Sequence, residues 1–259
     1  MKKSKSPLSI VLLGSGNVAT QLGIELKQQG FHIAQVYSPS MRHARNLADT
    51  LNSSAVSSLT KVNKDSDLYI IAVKDDAIEV IAEKLRLGNK LVVHTSGSVG
   101  MDVLKSISVN RGVLYPLQTF SKQRRPDWEQ IPLCLEANSP MGKEMLAGLA
   151  KKISHEIAFI GSSQRKRLHL AAVFAGNFSN HMYAIAENLL MKEKLPFRLL
   201  IPLILETASK AAEIGPAKAQ TGPALRTDNK ILKKHAQMLA DEKEYQKLYA
   251  SISKSIQNI

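Results

Sequence analysis

The chain has 259 residues, 44% of them hydrophobic and 5% aromatic, with 14 glycines and 10 prolines. That composition supports a packed core and excludes global disorder, and the length fits one large domain or two ordinary ones. A surplus of 35 Lys and Arg over 22 Asp and Glu gives a net charge of +13, which suits anionic partners such as nucleotides or phosphorylated metabolites. The basic residues are scattered, with no stripe interleaved with aromatics, so nucleic acid is not an expected partner. The longest apolar runs, such as Ile10–Leu13 and Leu68–Val73, fall far short of the roughly 18 residues of a membrane span, and no membrane partner is expected. A single cysteine, Cys134, excludes an intramolecular disulfide and a cysteine-rich metal site, which predicts a reducing, cytoplasmic setting.

The lysines of Met1–Ser6 look like the start of a leader, but the apolar stretch behind them is short and runs into a glycine turn, so none is expected. Ser9–Leu13 reads as a strand and Gln21–Gln29 as a helix ended by Gly30. Ile33–Tyr37, Leu68–Val73 and Lys90–His94 read as further strands, with helices over Arg42–Leu51 and Ala77–Leu85 between them. Strands follow at Val113–Tyr115, Pro132–Glu136 and Glu156–Ile160, the last two flanking a helix over Gly142–Lys152. Continuous apolar strands alternating with helices predict a doubly wound α/β domain with a mainly parallel, Rossmann-like sheet. After Gly161 the strand signal stops. Leu168, Ala171, Ala172, Ala175, Phe178, Met182 and Ile185 recur at helical spacing and predict one long, largely buried helix over Gln164–Met191. A helical segment over Leu199–Ile214 follows and is stopped by Gly215-Pro216. A loop over Ala219–Asp228 then leads to two last helices, about Asn229–Leu239 and Glu242–Ile256. The expected division is an α/β domain over 1–161 and a smaller all-helical domain over 162–259. The helical part is expected to border a substrate cleft and to form a homodimer interface, because its long helix is apolar over a broad arc.

Gly14-Ser15-Gly16-Asn17-Val18-Ala19 matches G-x-G-x-x-G/A between the first strand and a helix. The first glycine suits a tight turn, the second admits a pyrophosphate against bare backbone, and the small Ala19 lets helix and strand pack closely. A dinucleotide is therefore expected on Gly14, Ser15, Gly16, Asn17 and Val18. NAD sites carry an acid at the end of the second strand to bind the ribose 2′-hydroxyl. Here that strand ends Tyr37-Ser38-Pro39-Ser40, followed by Arg42, His43 and Arg45, with no acid to repel a 2′-phosphate. Ser38, Ser40 and Arg42 are its candidate ligands, so the expected cofactor is NADP. The plainer reading leaves Arg42 and Arg45 as helix-surface residues. His94-Thr95-Ser96-Gly97 ends a core strand, where open α/β sheets bind ligands. His94 or Ser96 can orient the nicotinamide amide there, or simply hold the turn.

The segments GSGNVA (14–19), AVKDDAI (72–78), HTSGS (94–98), YPLQTFS (115–121), HLAAVFAGNF (169–178) and TGPALRTD (221–228) resemble those of a known group. Its members join a Rossmann-like NADP-binding domain to a helical C-terminal domain of unassigned function. Their plan is similar to that of pyrroline-5-carboxylate reductase and 6-phosphogluconate dehydrogenase. Two positions depart from the pattern: Lys74, where proline is usual, and Tyr115, where histidine often precedes the proline. The resemblance implies a hydride-transferring oxidoreductase acting on a small keto or imine metabolite, with Val73 and Lys74 bordering the cofactor ribose. Asp75 or Asp76 can cap the helix that follows.

Such chemistry needs positioning and a proton donor near the reacting carbon. His169 and Asn177 are eight residues apart, within about 80° of each other on an α-helix. They resemble, loosely, the Lys-and-Asn pair on the long helix of hydroxyacid dehydrogenases and are the catalytic candidates. Tyr115 and Gln118 are candidates for substrate contact or for packing at the domain junction. In Thr221-Gly222-Pro223-Ala224-Leu225-Arg226-Thr227-Asp228, Thr221 and Arg226 can present a hydroxyl and a guanidinium to a substrate carboxylate, or the segment is a connector. No His, Asp or Glu cluster has metal-ligand spacing, so no metal is expected. The competing reading is a non-catalytic NADP-binding or sensor protein.

Overall fold

The strands pair into one sheet in the computed structural model, which describes residues 7–258. Met1–Ser6, where no leader is expected, lie outside the described residues. The strands are β1 (Ser9–Leu13), β2 (His32–Tyr37), β3 (Ser54–Val56), β4 (Leu68–Ile71), β5 (Leu91–His94), β6 (Arg111–Pro116), β7 (Leu133–Ala137) and β8 (Ile157–Phe159). Their order is β3-β2-β1-β4-β5-β6-β7-β8, and every pairing is parallel except β6 with β7. Helices α1 (Asn17–Gln28), α2 (Met41–Leu51), α3 (Asp75–Lys84) and α4 (Pro140–Ile153) make the crossovers. This is the doubly wound α/β architecture that the alternation predicts. The short edge strand β3 is missed by the sequence reading, since three partly exposed residues give no apolar run.

Residues of β1, β4 and β5 alternate between two apolar layers. Ile10, Leu12, Ile70 and Val93 join the layer that α1 and α2 cover, while Val11, Leu13, Ile71 and Val92 join the one under α3. Both faces are dry, which is why these strands read as unbroken apolar runs. Register then sets the site. Leu13 lies beside Tyr37 and Ile71, and Ile71 beside His94, so the segments after β1, β2, β4 and β5 leave the sheet at one edge. The strand order reverses there, between β1 and β4, which is the place where open α/β sheets take ligands.

The chain divides into two compact units, Met1–Gly176 and Asn177–Ile259. Helix α5 (Ser162–Ala172) is part of the first. The second contains α6 (Ser179–Lys192), α7 (Ile201–Ile214), the single turn α8 (Pro216–Ala219), α9 (Asn229–Met238) and α10 (Lys243–Gln257). The expected long buried helix needs two corrections. Helical backbone runs from Ser162 to Lys192, but Val173–Phe178 is wound as π-helix. The stretch is also not largely buried, for Leu170 is 59% and Phe174 62% exposed. Among the described residues of the second unit, Ala224 and Leu239 are the only buried apolar residues; the others are half-buried or exposed. No helix of the described residues is long and apolar enough to cross a membrane.

Candidate active site

The two glycines of the phosphate loop do different work. Gly14 has φ +133°, and a Cβ there would lie 2.1 Å from the Ala72 carbonyl oxygen, so only glycine fits between β1 and the end of β4. A Cβ on Gly16 would meet no atom within 4 Å. Gly16 is also the N-cap of α1, and no side chain caps that helix, so its first amide N–H groups have no side-chain acceptor. This arrangement fits a pyrophosphate, which needs bare backbone and unpaired amide donors at a helix N-terminus. Ala19 is fully buried, as close helix–strand packing requires.

Beside this loop, Ser15 Oγ donates to Ser38 Oγ at 3.0 Å, which ties the turn after β1 to the turn after β2. Ser40 Oγ accepts the His43 N–H and caps α2, while Arg42 is exposed next to the His43 ring. Val73 packs against the Gly14 turn, and Lys74 is the exposed N-cap of α3. Asp75 does not cap; its carboxylate accepts a hydrogen bond from Ser98 Oγ and ties the β4 turn to the β5 turn. Asn17 spends its side-chain amide on the Phe120 carbonyl.

His94 is fully buried: Nδ1 accepts the Ser96 N–H at 3.2 Å and holds the turn, while Nε2 has no partner among the described residues. Burial drives its pKa down to about 4, helped by the Arg165 guanidinium and opposed by the carboxylates of Asp75 and Glu136. The unfolded chain, with a histidine near 6.5, takes up a proton that the fold refuses, so this contribution is complete above pH 6.5 and is lost as pH falls toward 4. The span corresponds to roughly 3 kcal/mol. Urea titrations at pH 7 and pH 4.5 should show that loss in the parent and a smaller one in His94→Gln; equal losses would remove His94 as the cause.

On the same sheet face, His94 lies beside Val113, Val113 beside Glu136, and Tyr115 beside Cys134. Helix α5 covers this row. Arg165, with no exposed surface, pairs with Glu136, donates to the Val99 carbonyl at 2.6 Å and to Ser162 Oγ at 3.1 Å. One turn on, His169 projects from the same side of α5. Its Nδ1 shares a 3.0 Å hydrogen bond with the Tyr115 hydroxyl, and its ring lies so close to Gly97 that a Cβ there would be 2.6 Å from Nδ1. Burial raises the Tyr115 and Cys134 pKa values, and Arg165 opposes both shifts. The structure thus brings together Tyr115, His169, Gly97 and the Ser96 turn. The Arg165–Glu136 anchor goes unseen in the sequence, because a fully buried arginine has no local pattern.

Asn177, Thr221 and Arg226 lie in the second unit, and all three are exposed. Gln118 is exposed at the end of the β6 segment. Asn177 itself lies in the π-wound Val173–Phe178, so the α-helical spacing from which the angle to His169 is reckoned does not run unbroken between them. Such π segments are frequent at functional sites. Among the described residues, no group of three or more His, Cys, Asp or Glu could hold a metal ion.

A Rossmann-like domain model matches residues 2–120, and the model described as a domain of unknown function (DUF2520) matches residues 131–256. A candidate NADP oxidoreductase from Bacteroides fragilis is 44% identical with a TM-score of 0.92, covering 98% of this chain and 99% of its own. A Thermotoga maritima protein is 24% identical, with a TM-score of 0.71 and coverage of 96% and 97%. The 1-pyrroline-5-carboxylate reductase of Streptococcus pyogenes shares the fold at 13% identity, with a TM-score of 0.65 and coverage of 98% and 100%. No curated protein matches the chain.

Proposed function

The chain belongs to the family that joins a Rossmann-like domain to a DUF2520 domain, and we propose that it is an NADP-dependent oxidoreductase acting on a small keto or imine metabolite. The observation that carries this reading is the loop itself: a glycine forced at Gly14, an open position at Gly16, and an uncapped helix N-terminus. The name of the Bacteroides fragilis relative, as a candidate NADP oxidoreductase, agrees with it. Gly14–Val18 hold the pyrophosphate, and Ser38, Ser40 and Arg42 face the 2′-phosphate, where no carboxylate stands to repel it. Val73 and Lys74 border the ribose. Bound there, NADP(H) supplies or accepts a hydride at its nicotinamide ring.

The chain's own residues relay the proton. With the Tyr115 hydroxyl donating to His169 Nδ1, the imidazole carries its hydrogen on Nε2; as that hydrogen passes to the substrate, the tyrosine proton moves to Nδ1, and solvent reprotonates the tyrosine. Arg165 and Gly97 fix the ring's position, and Gln118 is the candidate substrate contact of the same unit; Asn177, Thr221 and Arg226 are the candidates that the second unit carries. A second copy of the chain covers the second unit, which leaves Leu199, Ile201, Leu203 and Leu205 exposed.

Calorimetry should find NADPH bound at least tenfold more tightly than NADH, a gap of about 1.4 kcal/mol. Equal affinities would end the NADP assignment. NADPH oxidation across a panel of keto acids and imines tests the reaction; firm binding with no turnover on any member would favour a sensor. Light scattering on the same sample should give a mass near twice 28.4 kDa.

A further inference from the structure

After β6 the chain leaves the sheet and runs over α1 before re-entering at β7. Two polar side chains of α1 hold this loop in place. Asn17 Nδ2 donates to the Phe120 carbonyl at 2.9 Å, and Gln21 Nε2 donates to the carbonyls of Ser121 and Arg124 at 2.7 and 3.2 Å. Arg125 pairs with Glu25 at 3.4 Å and also reaches Gln28, and Phe120 packs on Trp128 with ring centroids 5.4 Å apart. Within the loop is a cavity of about 410 Å³ whose walls include Gln118, Ser121, Arg124, Arg125, Asp127 and Gln130.

Its polar groups are lopsided. The Arg124 guanidinium has no hydrogen-bond or ion-pair partner among the described residues; only its backbone is engaged, the N–H by Ser121 Oγ and the carbonyl by Gln21. Gln118 Oε1 accepts the Thr119 N–H at 2.8 Å, which leaves its amide N–H groups to donate. The one carboxylate, Asp127, is engaged in accepting the Glu129 N–H. Residues with free donors, Gln118 and the unpaired Arg124, therefore line a cavity of small-metabolite size. The planar fork of arginine matches a carboxylate or a phosphate. The cavity begins just after the C-terminal end of β6, the sheet edge at which such folds take ligands, and one of its walls, Phe120, is bonded through its carbonyl to Asn17 of the phosphate loop.

We propose that this cavity is an anion-binding subsite with Arg124 as its principal cation, and that the substrate is a metabolite bearing a carboxylate or phosphate. The substrate assignment rests on the oxidoreductase reading above. The dinucleotide's own phosphates share this chemistry, and the test separates the two sources.

Trp128 is the only tryptophan and packs inside the loop, so its emission reports occupancy without turnover. Inorganic phosphate or malonate, titrated at ionic strength fixed with potassium chloride, should change that emission saturably. Arg124→Gln, at an exposed position, should weaken the response at least tenfold. No saturable response, or one equal in the parent and Arg124→Gln, overturns the site. A response that persists with NADPH saturating supports the substrate assignment. Its loss under NADPH places the cofactor's phosphates in the cavity and overturns that assignment. A chain that answers phosphate but shows no NADPH uptake by calorimetry overturns the oxidoreductase reading and leaves the anion site standing.

Discussion

Gly16→Val yields a folded protein that no longer binds NADPH. The valine Cβ enters a space that no protein atom fills, so the fold has nothing to clash with. Gly16 also has φ −77°, which any residue adopts, so no backbone strain is added. What the side chain does occupy is the approach of a pyrophosphate to the first amides of α1. Gly14→Val tests the other half of the argument. Its Cβ would overlap the Ala72 carbonyl at 2.1 Å, and its φ of +133° is foreign to a β-branched residue. Neither neighbour can retreat, because the Gly14 N–H is bonded to the Tyr37 carbonyl and the Ala72 N–H to that of Leu13. A loss of about 4 kcal/mol or more of stability is expected at Gly14, against little at Gly16. Thermal melts and calorimetry on the two variants separate these outcomes. Undiminished NADPH binding in folded Gly16→Val would reduce the motif to a turn.

The α/β half is legible in the sequence because burial on both faces leaves a local signature. Runs such as Leu68–Ile71 can only be central parallel strands, and the glycine loop sits directly behind the first of them. The helical half is less legible for a physical reason. Periodicity reports that a helix face is apolar, not what covers it, so Phe178 reads as buried and is exposed in the single chain. The π winding of Val173–Phe178 leaves no periodic trace either, since six residues are too few to show a period of their own. Within the site, His169 stands out as a polar residue on an apolar helix, and Tyr115 as a variation in YPLQTFS. That the two touch depends on strand register and on the Arg165–Glu136 pair, which join residues far apart in the chain. His94 shows the converse: its place at a strand end suggests a ligand contact, and the geometry turns it inward to the Ser96 amide.

His169→Ala should lower turnover roughly 10²–10³-fold while leaving NADPH affinity nearly unchanged, the effect of losing a transition-state donor rather than a binding group. The argument rests on where the imidazole is held. It is pinned between the Tyr115 hydroxyl and the Gly97 backbone on a helix anchored by a buried ion pair. Two milder variants test that positioning without deleting the ring. Tyr115→Phe removes the partner of Nδ1, which frees the imidazole to change tautomer, and should depress kcat more than KM. Gly97→Ala puts a Cβ 2.6 Å from Nδ1 and 2.7 Å from Cγ, so the ring must move, and turnover should fall with it. Asn177→Ala is expected to reduce turnover as well. If His169→Ala and Gly97→Ala both retain full activity on a substrate that consumes NADPH, the proton comes from elsewhere. The Tyr115–His169 pair would then be a structural tie between α5 and β6.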